Sequence, residues 1–314
     1  MITFLSMLYN VLLLVFLAVP GYILGKMGKV EDDALVSVSN VLTYVAMPFL
    51  VFLKLLQTDL GQIKMSEIAI CVLLPIGLIL ILYAISSVMF CKGEDRFPVS
   101  RFCAVFSNCG FLGIPLAEAI FPQNSEVAVY VSLFNVSSTF LLLTLGRFML
   151  SREKKEISLG KAVICPVLIA LVLGGACSLL GLSTHVPQVA TYAGHLASLT
   201  TPLSMIVLGF ELSKLNALKL FAQGEVYRVG LVKLLISPLL TVGLLWLLGL
   251  AIPISPYLAA AMFLSTAVST AASAPAMAKQ YGRDAEYAAS LTLGNTLLCV
   301  VSLPLLYLLF DLLF

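Results

Sequence analysis

Charge is scarce in this sequence. Asp, Glu, Lys and Arg make up 11% of its 314 residues, whereas 61% are hydrophobic; an ordinary soluble domain carries about 25% charged residues. The shortage excludes a soluble globular protein. Apolar runs recur from end to end, so the chain reads as one polytopic membrane domain without a soluble appendage. Catalytic groups are as scarce as charge. His195 has no serine and acid to work with, and Asp59, Asp284 and Asp311 fall near expected span ends, so no intramembrane enzyme can be assembled from them. The cysteines at 71, 91, 103, 109, 165, 177 and 299 show no metal-ligand spacing and read as small buried hydrophobes. No phosphate-cradling loop is found, and no nucleic acid is expected as a partner. The N-terminal apolar run lacks a basic lead-in and a small-residue cleavage site, so it is expected to be a retained span.

The apolar runs divide into ten spans near 4–25, 34–56, 67–90, 98–121, 126–150, 160–182, 189–211, 225–249, 256–281 and 287–312, each close to the roughly 20 residues a bilayer core requires. Basic residues orient them. The connections after spans 1, 3, 5, 7 and 9 hold Lys26, Lys29, Lys92, Arg96, Arg101, Arg147, Arg152, Lys154, Lys155, Lys161, Lys214, Lys219, Arg228, Lys279 and Arg283. Only Lys54 and Lys64 lie on the other side, and Lys233 falls inside span 8. The basic connections are therefore expected in the cytoplasm and both termini outside.

Two spans carry interruptions. Gly110, Gly113 and Pro115 sit near the middle of span 4, and a Ser/Thr/Ala-rich run ending at Pro275 sits in span 9, 160 residues later. Proline and glycine both disfavour a continuous helix, and broken backbone at membrane depth is tolerated only inside protein or beside a water-lined cavity. The halves match elsewhere: Asn135 and Asn295 each follow their proline by 20 residues, Pro48 is matched by Pro202, and Pro75 by Pro238. With an odd number of spans per half, the second half enters the membrane upside down. The expected organisation is a first repeat over 1–150, a short cytoplasmic connector over 151–159 and an inverted second repeat over 160–314.

Paired interruptions in the two halves of a membrane protein point to a transporter's binding site. If half-helices start near Pro115 and Pro275, their unpaired N–H groups and positive dipole ends face the protein centre. That suits a carboxylate, while the carbonyl ends of the preceding halves suit a cation or a hydroxyl. The candidate substrate residues are Ser107, Asn108, Gly110, Gly113, Ile114, Pro115, Asn135, Ser269, Thr270, Ser273, Ala274, Pro275 and Asn295. The hydroxyl residues read more readily as helix-packing groups. The amides are costlier to place in a membrane, and Asn135 and Asn295 are each expected to bond the opened backbone of the neighbouring broken helix.

Glu118 and Lys233 are the charged candidates. Glu118, close to the first break, is expected to take a proton or pair with a bound cation. Lys233 is expected to pair with substrate or a carboxylate, or else to snorkel to the cytoplasmic side. Glu211 is expected to be solvated at a span end.

The runs Val19-Pro20-Gly21-Tyr22-Ile23-Leu24-Gly25-Lys26, Asn108-Cys109-Gly110-Phe111-Leu112-Gly113-Ile114-Pro115-Leu116, Thr201-Pro202-Leu203-Ser204-Met205-Ile206-Val207-Leu208-Gly209 and Pro275-Ala276-Met277-Ala278 resemble the auxin efflux carrier family across essentially the full chain. The resemblance implies an all-α membrane protein of ten helices in two inverted five-helix repeats, as in the bile-acid:sodium symporter fold. It implies that helices 4 and 9 are broken and cross at mid-membrane around the substrate, and that access alternates by an elevator motion. Family substrates are organic anions, auxin in plants and malate or malonate in bacteria, and family members are often homodimers. Asn108 matches the family's span-4 asparagine, whereas the matching part of span 9 offers Val268 and Ser269. The short connector resembles bacterial members, which implies a bacterial plasma membrane. The expected function is secondary transport of a small carboxylate, with Na+ near the crossing, H+ or neither as the coupling ion and no other cofactor. A non-transporting receptor for the same anion is the second reading.

Overall fold

The computed structural model describes residues 4–58, 61, 63–90, 96–151, 166–180, 186–214 and 220–313. The 151–159 connector beyond Ser151, Cys91, Cys165, and Lys92, Arg152, Lys154, Lys155, Lys161 and Lys219 lie outside the described residues.

Every regular element among the described residues is helical. They are α1 (Phe4–Lys26), α2 (Asp32–Val41), α3 (Met47–Gln57), α4 (Met65–Met89), α5 (Phe97–Val105), α6 (Ile114–Ile120), α7 (Ser125–Leu141), α8 (Arg147–Leu150), α9 (Pro166–Leu179) and α10 (Pro187–Ala197). They continue with α11 (Thr200–Ser213), α12 (Gly224–Gly230), α13 (Ser237–Gly249), α14 (Pro256–Ala267), α15 (Ala274–Gln280) and α16 (Ala285–Asp311). Seven helical stretches are long and apolar enough to cross a membrane, and Cys109–Ile120, Pro166–Leu179 and Pro256–Ala267 are shorter apolar helices. The chain is thus a polytopic, all-helical membrane protein.

Four widened π-helical turns interrupt these stretches, at Leu42–Ala46, Cys109–Gly113, Leu142–Gly146 and Leu231–Ile236. Three of them end two residues before a proline: Pro48, Pro115 and Pro238. Proline lacks the N–H that would reach back one turn, and its ring crowds the carbonyl there; a wider turn relieves both without ending the helix. Pro75, paired with Pro238 in sequence, instead lies inside the continuous α4. The two prolines occupy matching positions with different local consequences.

The helices form two groups. In one, α1 lies along α11, and α3 packs on α9 and α10. In the other, α7 packs on α4, α6 and α14, α16 packs on α12 and α15, and α13 packs on α14. The groups meet where α1 touches α6 and α16 and where α3 touches α7. The α1–α11 contact is backbone against backbone, because Gly21 faces the Ile206 carbonyl and Gly209 faces the Ala18 carbonyl. Small residues permit such approach in membrane helices, which gives two of the sequence motifs a packing role.

Candidate functional site

The two interruptions meet. After α5 the chain leaves the helix over 106–108, after α14 over 268–270, with Phe106 and Val268 extended, and Ser107 pairs with Thr270 as an antiparallel bridge. The Asn108 N–H donates to the Ser269 carbonyl at 2.8 Å, and the Ala271 N–H donates to the Phe106 carbonyl at 3.0 Å. Each break therefore satisfies part of the other's exposed backbone, as buried polar groups require. Side chains complete the ends. The Thr270 hydroxyl donates to the Cys103 carbonyl of α5 at 2.9 Å. At the end of α14 the Lys233 ammonium donates to the Thr266 carbonyl at 3.2 Å, and the Cys299 thiol to the Ala267 carbonyl at 3.5 Å. The Thr296 hydroxyl of α16 donates to Ser269 Oγ at 3.1 Å.

The helix after the first break begins earlier than Pro115 suggests. It runs over Cys109–Ile120, and the Asn108 carbonyl accepts from the Leu112 and Gly113 N–H groups at 3.0 and 3.2 Å. The unpaired N–H groups of its first turn are those of Cys109, Gly110 and Phe111. Pro115 lies beyond the π turn, which absorbs its missing donor. The second half-helix starts at Ala274, as Pro275 suggests.

Beside the crossing is a cavity of about 130 Å³ between the two helix groups, large enough for several waters or a small acid. From the first group Ser39, Ser204, Met205, Leu208 and Glu211 line it. From the second come Asn108, Phe111, Leu112, Ser273, Thr292 and Thr296. The structure thus brings Asn108 and Ser273 to the cavity wall. Ser107, Ser269 and Thr270 belong to the bridge behind it, and Ser269 and Thr270 are fully buried. Ile114, Pro115 and Ala274 are packed in the interior. Gly110 lies against the Asn135 side chain, whose Oδ1 would stand 3.3 Å from a Cβ placed there, and a Cβ on Gly113 would touch the Cys109 sulfur.

Asn295 departs from the expectation that it bonds a broken helix. Its Nδ2 donates to the Leu291 carbonyl of its own helix at 2.8 Å, and its Oδ1 is buried without a partner beside Gly230. Thr296, one residue on, makes the contact to the break instead, because neighbouring residues on a helix point about 100° apart. Glu118 is paired with Lys54 of α3 at 3.0 Å and does not face the cavity. Lys233 does not snorkel: it is 1% exposed and bonded to Thr266. Glu211, expected in solvent, forms part of the cavity wall.

Sequence reasoning overlooked Ser39, Ser204, Thr292 and Thr296. A signal existed for the last two. Their spacing of four places both hydroxyls on one face of α16, next to the asparagine that drew attention. Among the described residues, no group of acidic, histidine and cysteine side chains could hold a metal ion.

The profile of the family described as membrane transport protein matches residues 6–162 and 155–307. An uncharacterized transporter of Methanothermobacter thermautotrophicus is 28% identical over 307 residues, covering 94% of this chain and 96% of that protein. An uncharacterized transporter of Methanocaldococcus jannaschii is 24% identical over 213 residues, 65% of this chain and 68% of that protein. The chain therefore belongs to the membrane transport protein family, that of the auxin efflux carriers, and is a membrane transporter rather than an enzyme.

Proposed function

We propose that the protein is a secondary transporter that carries a small organic anion, a carboxylate, by elevator-type alternating access. In this reading ten spans form two inverted repeats, 1–150 and 160–314, joined by the 151–159 connector, with the basic connections in the cytoplasm. The packing supports the repeat. Exchanging the halves turns the α1–α11 contact (spans 1 and 7) into the α9–α3 contact (spans 6 and 2). The same exchange turns α4–α7 (spans 3 and 5) into α12–α16 (spans 8 and 10).

The observation that carries the reading is the mutual pairing of the two breaks beside a largely apolar cavity into which Asn108, Ser273 and Thr296 bring polar groups. Asn108 reaches the cavity from the position that caps the Cys109–Ile120 helix. The adjoining N–H groups and the positive end of the helix dipole favour an anion. The cavity also lies on the boundary between the two helix groups. A guest held there by Asn108, Ser273 and Thr296 travels with the second group when it slides along the first, which is the elevator motion. The Lys54–Glu118 pair and the bond from the Thr58 hydroxyl to Ser125 Oγ at 2.8 Å tie the groups together on the side opposite the basic connections. The cavity, by contrast, is lined by Ser39 and Glu211 toward the basic connections, which supports an inward-facing reading.

The test is counterflow of labelled malonate, malate and indole-3-acetate in proteoliposomes. Exchange of one of these acids by the natural protein, lost in Asn108→Ala, is the expected result. Binding without counterflow would make the protein a receptor, and neither binding nor counterflow of any of the three acids would overturn the anion reading.

A further inference from the structure

Lys233 occupies a place that its neighbours do not explain by charge pairing. It lies in the π-helical turn Leu231–Ile236 and is 1% exposed. Its ammonium is directed at the Thr266 carbonyl, one residue from the end of α14. The last carbonyls of a helix have no partner within it and carry the negative end of its dipole. The adjoining Ala267 carbonyl takes the Cys299 thiol, and the Leu231–Ile236 turn that carries Lys233 packs against α5, α14 and α16. Spans 4, 8, 9 and 10 thus converge on this one cation.

No carboxylate pairs with it among the described residues. Glu67, the one buried acid among the described residues, accepts from the Tyr130 hydroxyl at 2.7 Å and from the Lys64 N–H at 3.2 Å. Glu118 belongs to Lys54. A cation held at membrane depth without an anion is costly, and a helix carboxyl end offsets part of that cost. Lys233 also does not line the cavity, so it is not a direct ligand of a guest there. Its geometry is that of a carbonyl-bound cation attached to the chain.

We infer that Lys233 is the resident cation of the crossing: its ammonium takes the carbonyl position at the end of α14 that a bound Na+ would otherwise take. The crossing then needs no metal ion to balance the carbonyl end or to hold a positive charge near an anionic guest. The inference rests on the carboxylate-carrier reading for the guest, but the ammonium and its carbonyl can be tested without one.

The test uses the full-length protein in detergent at one fixed pH, with Na+ or choline as the chloride salt at equal ionic strength. Natural protein, Lys233→Arg and Lys233→Ala are melted in both salts without carboxylate. The natural protein and Lys233→Arg are expected to melt at the same temperature in either salt. Lys233→Ala, with the Thr266 carbonyl vacated, is expected to melt about 3 °C or more higher in Na+ than in choline, since a ligand of the folded state stabilises it. Lys233→Ser is read in the same way should the alanine variant fail to fold. The inference is overturned if Na+ stabilises the natural protein, or if the vacated variant is indifferent to Na+. Failure of the carrier reading would appear separately, as absent counterflow, and leaves these melting temperatures unaffected.

Discussion

Gly209 of α11 faces the Ala18 carbonyl of α1 so closely that a Cβ at 209 would collide with it, and Gly21 stands in the same relation to Ile206 three residues away along the contact. The obstructing atoms are backbone, so neither partner yields by changing a rotamer. Gly209→Val forces the two helices apart over much of their length. Overpacking a close contact costs about 1–3 kcal/mol, and the variant is expected at the upper end. Thermal melting of the purified protein checks this, and an unaltered melting temperature would show that α1 and α11 do not touch as described.

The Lys54–Glu118 pair joins α3 to α6 across the boundary between the helix groups, with both side chains less than a quarter exposed. An ion pair of this exposure contributes up to about 1 kcal/mol. Lys54→Met, Glu118→Gln and the double variant form a cycle whose coupling is expected to reach that size. If the pair closes the outer side, its loss also raises the labelling rate of a cysteine placed at Ser125 from outside, by roughly fivefold for 1 kcal/mol. Additive melting shifts with unchanged labelling would remove the pair's closing role.

The architecture was legible in the sequence to the extent that local chemistry dictated it. Hydropathy marked the seven long apolar helices, and Pro115 and Pro275 marked both breaks because a missing backbone donor is a local property. What the breaks do to each other is a long-range matter. The bond from Asn108 to Ser269 joins residues 161 apart, and no periodicity reports it. The same holds for Lys54, which read as a charge near a span end, and Glu118, which read as a coupling group beside the break. Pro115 was also misleading in detail: it suggested where the helix begins, whereas the helix starts directly after Asn108 and the π turn over Cys109–Gly113 absorbs the proline. Asn295 drew attention because amides are rare at depth, yet its neighbour Thr296 faces the break. Residue type ranked the candidates, but helix phase relative to an unknown neighbour chose between them.

Thr296 gives a prediction of its own. Its hydroxyl donates to Ser269 Oγ and also lies within reach of the Thr292 carbonyl at 2.9 Å. Thr296→Val preserves shape while removing the tie between α16 and the second break. A buried hydrogen bond of this kind contributes about 1 kcal/mol, so a modest fall in melting temperature is expected. Ser269→Ala in the same background should add little, because the two act on one bond. A double variant as destabilised as the sum of both would mean that the bond is absent.

Asn108 and Thr270 separate guest binding from construction of the crossing. Both sit at the crossing, but the Asn108 side chain reaches the cavity wall, whereas the Thr270 hydroxyl is fully buried and bonded to the Cys103 carbonyl. Asn108→Ala leaves the backbone bond to Ser269 in place and removes an amide from the cavity. Hydrogen bonds to a charged group contribute about 1.5–3 kcal/mol, so carboxylate affinity is expected to fall roughly ten- to a hundredfold with little change in melting temperature. Thr270→Val does the reverse. It leaves the Cys103 carbonyl without its donor inside a dry interior, at a cost of about 1–3 kcal/mol, while the cavity wall keeps its polar groups. Melting curves and carboxylate titrations on the two variants together decide the assignment, since a crossing that was purely structural would make both variants lose stability and affinity in parallel.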